Sequence, residues 1–378
     1  MTAAGLIFAN IHDDSLSELT MLRTIASIPY GGRYRLIDFA LSNMVNAGMD
    51  NVGIITHYNY RSLLDHIGSG SDWDLARRSG GISILPPFIT ARDVRNEGRL
   101  VSTRLEALLG VRDFIYSRCR EDNIVLSDSD VICNIDISDV LAAHERMNSD
   151  VTIVIKHYDS YDGGTAKHWS VDTCGDEVTD IYEYKPEEGR GGDISLNIIV
   201  VNRRFLLRQL DEASIHSGSS FFQDVLAKNI GRAAINAYRF SGHFGIVNSL
   251  EGYYRCSMDL LDPDPRRELL GQKERPIFTK VRNSAPTAYR AGADVKNSLI
   301  ADGCVIEGHV ENSIIFRGVH IGRDTVVRNS VLMQDTYIGN DVSLDCVISD
   351  KSSTVVDGVT LSGHSSMPFF IGKGVMVR

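Results

Sequence analysis

The chain has 378 residues, 43% of them hydrophobic, and its 49 acidic side chains outnumber 39 Lys and Arg to leave a net charge of −10. That length implies two domains with a sizeable core. The charge excludes a generic electrostatic attraction to nucleic acid or to an anionic membrane, so any phosphate site must be local. Six scattered cysteines, at 119, 133, 174, 256, 304 and 346, form no C-x-x-C pair, which suits reduced cytosolic thiols and argues against zinc. The N-terminus has no basic n-region before its short apolar stretch, and no apolar run approaches about 18 residues, so a cytoplasmic protein that neither enters nor crosses a membrane is expected.

Taken in chain order, "GLIFANIHDDSLSELT" (5–20) opens as a short apolar strand and turns into a loop holding Asn10, Asp13, Asp14 and Ser15, where a phosphate-binding loop would carry glycines and a cation. Next, "RYRLIDFALSNMVNAG" spaces Leu36, Phe39, Ala40 and Met44 at helical intervals and reaches Gly48, a helix stop. "NVGIITHY" (51–58), "NIVLSD" (123–128) and "VTIVIKHY" (151–158) are near-continuous apolar runs, as in strands buried on both faces of a mainly parallel sheet. "GSGSDWDL" lacks the lysine of a nucleotide cradle and reads as a flexible loop. The first half, 1–262, is therefore an α/β domain. Pro263, Pro265 and Pro276 in a charged stretch mark a linker over 263–290.

From 291 to 378 the period changes. Ile315, Ile321, Val327 and Met333 fall six apart, and after a one-residue slip so do Ile338 and Leu344. Val319, Thr325, Thr336 and Val342 sit two places earlier. A six-residue period fits a parallel β-helix rather than any α-helix, with a sandwich of short strands as the alternative. Such coils also occur in acyltransferases that use a histidine base, but His309, His320 and His364 have no evident Asp partner at a repeat-defined position.

This order of domains, with the block "IPYGGRYRLIDFALSN" (28–43) and the stretches "HIGSGSDWDL" and "GGISILPP", resembles the ADP-glucose pyrophosphorylases over nearly the whole chain. The resemblance implies a Rossmann-like nucleotidyltransferase domain with a mixed, mainly parallel sheet, followed by a left-handed parallel β-helix of hexapeptide repeats. It also implies in-line attack by glucose 1-phosphate on ATP. That reaction needs cations on the triphosphate and a divalent metal between two carboxylates.

Compared with the family pattern, Ser15 stands at the loop arginine and Ile25 at the A-K-P-A lysine. Asp13 and Asp14 would each repel a phosphate oxygen about 4 Å away by roughly 4 kcal/mol at an effective dielectric of about 20. Of the metal ligands, "LSDSDVICNID" offers Asp130, with Asp128 as competitor. The second position, within "FGIVNS", is Ile246, which cannot coordinate Mg²⁺. On this reading Mg²⁺ is a weak expectation resting on Asp130 alone, and no cofactor is tightly bound. Asp130 could equally be a solvated carboxylate ending its strand.

On the sugar side Lys185 and Ser195 are retained, while Tyr184 replaces a glutamate and Asn197 a glycine. The G-T-A-D-A segment has no good counterpart in "VSTRLEALLG". His57 lies in a segment that approaches the nucleotide in the family, or is a buried structural histidine. Arg23, Arg33 and Arg35 flank the "YGG" turn, where basic residues of the family contribute to anionic effector sites between the domains. A structural ion-pair role is the alternative for each, and the family's activator lysine aligns with Leu22.

Losses at charged and glycine positions within an intact apolar framework look most like the regulatory, D-type subunit of some Gram-positive bacteria. The implied partner is a catalytic ADP-glucose pyrophosphorylase subunit in a hetero-tetramer, with a sugar phosphate or other anion as effector. Two other readings remain: an enzyme active alone, and a sugar-phosphate-binding sensor or scaffold.

Overall fold

A computed structural model describes residues 2–10, 16–86, 103–159, 168–184, 191–216 and 220–378. Ser15, Asp13, Asp14 and Lys185 lie outside the described residues. The strands of the first half are β1 (Ala3–Phe8), β2 (Pro29–Tyr30), β3 (Tyr34–Arg35), β4 (Asn51–Ile55), β5 (Gly81–Leu85), β6 (Asn123–Asp128), β7 (Val131–Cys133), β8 (Val151–Tyr158), β9 (His168–Cys174), β10 (Glu177–Tyr184), β11 (Gly192–Asn202), β12 (Ile235–Arg239) and β13 (Phe244–Ile246).

Nine of them form one sheet in the order β5-β4-β1-β6-β11-β8-β12-β10-β9. β5, β4, β1 and β6 are parallel; the apolar runs of β4, β1 and β6 are buried on both faces as the sequence requires, and the edge strand β5 is half-buried. β11 then enters antiparallel to β6 on one side and to β8 on the other, so the sheet is mixed. Two apolar clusters cover its faces. The expected helix forms over Ile37–Asn46, and Gly48 follows at φ +77°, a left-handed conformation that glycine adopts without a Cβ clash.

The second half winds three parallel sheets around a common axis, one with six strands and two with five. This is the left-handed parallel β-helix, and its interior is a stack that includes Ile315, Ile321, Val327, Leu332, Ile338 and Leu344. The phase of the period differs from the sequence reading at one point. Leu332 belongs to the interior stack, whereas Met333 belongs to a second cluster, with Tyr253 and Tyr254, shared with the α/β half. The slip thus precedes Met333. Successive strand residues face opposite sides, and here both sides are buried, so apolar character could not distinguish them. Thr325 donates to the carbonyl of Gly339 in the next coil at 2.7 Å, which satisfies a buried hydroxyl.

A second correction concerns His309. Register places it directly against Asp294, one coil back, and its Nδ1 lies 2.9 Å from that carboxylate. Residues 15 apart become neighbours only once the coil length is known.

The prolines of the expected linker do not space the domains apart. Pro263 is the first residue of a helix, Pro263–Leu270, capped by the Asp262 side chain, and Leu269 is buried. Proline suits that position because the first helical N–H has no intrahelical partner. The two halves share the Tyr253 cluster, and Arg23 grips both oxygens of Asp350 at 2.8 and 2.7 Å across their junction.

Candidate functional site

Two clefts contain the chemistry. The first lies at the carboxyl ends of β1, β4 and β6, where open α/β sheets receive ligands. Asn10, just past β1, ties these ends together. Its Oδ1 accepts from the Thr56 hydroxyl at 2.7 Å and from the His57 backbone N–H at 3.0 Å. Burial pushes the His57 imidazole below its ordinary pKa, which favours the neutral ring.

β6 ends on Asp128 and continues through Ser129 to Asp130, and all three are buried, so the solvated reading of Asp130 does not hold. β7 follows at once and pairs antiparallel with β13, setting Ile246 opposite Val131, while Val247 N–H donates to the Asp130 carbonyl at 2.9 Å. The two positions that the resemblance pairs as metal ligands are therefore neighbours, and Ile246 is a buried aliphatic side chain.

Asp128 is engaged. Arg104 Nε donates to its Oδ1 at 3.0 Å and a guanidinium Nη donates to the other oxygen. Among the described residues, no group of three or more His, Cys, Asp or Glu side chains could hold a metal ion. Mg²⁺ needs hard oxygen ligands, and here Asp128 is already bound by Arg104 while Ile246 offers no oxygen, a poor fit to the ion.

The resemblance assigns Ser195, Asn197 and Tyr184 to the sugar side. Ser195 Oγ accepts from the Asn197 N–H at 3.2 Å, and both residues are buried. Asn197 sits at φ +55°. That left-handed backbone explains the family glycine, and asparagine is the side chain that tolerates it best. Tyr184 is a buried residue ending β10. Ile25, at the position of the family lysine, packs in the apolar cluster with Leu16, Leu19 and Tyr253. The segment without counterpart is a helix start: Thr103 caps Arg104–Gly110 in a reciprocal capping box with Glu106. "GSGSDWDL" is anchored by Trp73, which is buried edge-on against His66 at 5.6 Å.

The second cleft lies where the β2–β3 hairpin meets the β-helix. It is lined by Arg33, Arg35, Lys280, Arg282, Arg317 and Lys351, together with Tyr34, His66 and Gln334. Among the described residues, Arg317 alone of these six cations has a carboxylate partner, Asp302 at 3.2 Å. Arg35 donates to the Ser62 carbonyl at 2.5 Å and to its hydroxyl at 2.8 Å, and burial lowers its pKa to about 10. Burial, then Arg35 and Arg23, bring the Lys351 ammonium down to about 7. The one carboxylate that would oppose this, Asp350, is held by Arg23.

The structure thus separates the three arginines singled out by sequence. Arg23 pairs with Asp350 at the domain junction and lines a separate pocket with Leu22 and Lys373, whereas Arg33 and Arg35 face the cationic cleft. Lys280, Arg282, Arg317 and Lys351 were missed because they come from the linker and the coils, and only the packing of the β-helix gathers them. Leu22, at the activator-lysine position, is 57% exposed.

Comparison with known proteins agrees with this architecture. Residues 14–242 match the nucleotidyl transferase family and residues 284–365 the GlmU-like C-terminal hexapeptide family. Glycogen biosynthesis protein GlgD of Bacillus subtilis is 34% identical over 98% of this chain and 96% of its own length. Glucose-1-phosphate adenylyltransferase of Clostridium acetobutylicum is 32% identical over 85% of this chain and 84% of its own, and that of Clostridium perfringens strain 13 is 30% identical over 99% and 94%. With both halves matched and the likeness running through nearly the whole chain, this protein belongs to the ADP-glucose pyrophosphorylase (glucose-1-phosphate adenylyltransferase) family as a GlgD-like member.

Proposed function

We propose that the chain is a regulatory subunit of glucose-1-phosphate adenylyltransferase in glycogen biosynthesis. It is catalytically impaired alone and acts on a catalytic subunit within a hetero-tetramer. The observation that carries this reading is the contrast at one strand pair: Ile246 stands beside Asp130 where a second metal carboxylate is needed, while the inter-domain cleft keeps its cations. An in-line phosphoryl transfer without a completed metal site lacks its main source of charge stabilisation. The unpaired cations suit an anionic effector such as a sugar phosphate, since guanidinium groups bind phosphate oxygens in pairs. The enclosed space between them is small, about 20 Å³, so an anion enters by displacing long cationic side chains. Because the cleft is built from both domains, its occupancy biases their relative position and can be transmitted to a docked subunit.

The test is ADP-glucose synthesis from ATP, glucose 1-phosphate and Mg²⁺ by the purified chain, alone and mixed with a catalytic subunit from the same organism. The expected result is no turnover alone and a changed rate or effector response in the mixture. Turnover by the chain alone, abolished by Asp130→Asn, would overturn the proposal.

A further inference from the structure

We propose that Arg104 is the resident cation of the β6 cleft, occupying the carboxylate end of the strand so that the site is held in a metal-free state. This goes beyond the loss of a ligand at Ile246. A missing carboxylate weakens a metal site, whereas a buried guanidinium already bound to Asp128 competes for it.

The geometry is that of a built contact. Both oxygens of Asp128 accept from Arg104, the Nε bond being 3.0 Å, and the two side chains are only 12% and 3% exposed. Asp130 adds its field to the same guanidinium. On the other side the guanidinium carbon lies 5.6 Å from the centre of the Phe222 ring, and Phe222 is itself stacked on Trp169 at 4.8 Å and 9°. Carboxylate on one side and aromatic face on the other satisfy a planar, weakly hydrated cation. The capping box at Thr103 fixes the backbone immediately before Arg104. A divalent ion reaching Asp128 would have to expel this guanidinium and leave it buried without its partner, an unfavourable exchange.

The chain's own Arg104 therefore determines what the cleft admits, whether or not a partner subunit is present, and restoring the lost carboxylate by itself leaves the site closed to metal. The full-length chain is titrated with Mn²⁺, and free ion is read by electron paramagnetic resonance. Ile246→Asp is expected to bind Mn²⁺ no better than the unaltered chain. Ile246→Asp with Arg104→Gln is expected to bind about ten-fold tighter, and adding Asp128→Asn removes the gain. Equal binding by Ile246→Asp with and without Arg104→Gln overturns the proposal.

If circular dichroism shows that Ile246→Asp does not fold, the comparison is made at the native Ile246. There Arg104→Gln gains Mn²⁺ affinity that Asp128→Asn abolishes, and Arg104→Lys, which keeps the charge, does not. Identical behaviour of the Gln and Lys variants likewise overturns it. None of these outcomes depends on the regulatory role.

Discussion

The two clefts treat charge in opposite ways. At the end of β6 the buried Asp128 is paired with Arg104, and the buried Ile246 lies on the neighbouring strand pair. Between the domains six cations converge, and among the described residues five of them have no carboxylate partner. A protein interior tolerates buried charge when it is paired, as Asp128 is by Arg104, whereas the buried Arg35 guanidinium at the second cleft donates to the Ser62 carbonyl and hydroxyl. On the proposed function, an anionic ligand belongs at the domain junction rather than at the end of β6.

The largest effect that would break this comparison concerns the ion pair at the domain junction. Asp350→Asn leaves Arg23 buried without its carboxylate, and unfolding in denaturant should show a loss of about 3–5 kcal/mol. A loss under 1 kcal/mol would mean that Arg23 is free to serve the cationic cleft instead. Next, Lys351→Gln should weaken binding of sulfate, measured by calorimetry, about ten-fold, the equivalent of one charge-assisted contact. Sulfate does not titrate near neutral pH, so the pH dependence reports the protein. Lys351 loses its proton near 7 in the free chain, hence sulfate affinity should fall as pH rises from 6 to 8 and binding should take up protons. An affinity independent of pH would exclude Lys351 from the site.

A smaller effect has the same origin. In the unfolded chain Lys351 keeps its proton up to its ordinary pKa of 10.5, whereas in the folded chain it releases it near 7. Between those values the unfolded state binds more protons, so stability rises with pH across that window. Thermal unfolding of the unaltered chain and of Lys351→Gln should show this slope in the first and not in the second, and saturating sulfate should flatten it. Last, the retained sugar-side framework is tested by Asn197. Asn197→Gly should change stability by only a few tenths of a kcal/mol, while Asn197→Ala should cost about 1 kcal/mol because alanine resists φ +55°. Equal effects would show that the backbone there relaxes.

Much of the fold could be read in advance because it follows from local periodicity. The helix over Ile37–Asn46, the buried strands and the six-residue repeat each repeat a simple spatial rule along the chain. The errors fell where that rule has two solutions. Met333 and Leu332 are both apolar and both buried, one facing the coil interior and one the α/β half. Pro263 reads as a break, yet it starts a helix, since proline is disfavoured inside helices and favoured at their first residue.

By itself the sequence determined the two-part architecture, the family and the absence of cationic or carboxylate side chains at Ile25 and Ile246, because side-chain identity at an aligned position needs no coordinates. Only the tertiary structure decided what stands in for them. The pairing of Arg104 with Asp128, of Arg23 with Asp350 and of His309 with Asp294 joins residues 24, 327 and 15 apart. Coulomb interaction depends on distance through space and on burial, and neither is a property of position along the chain.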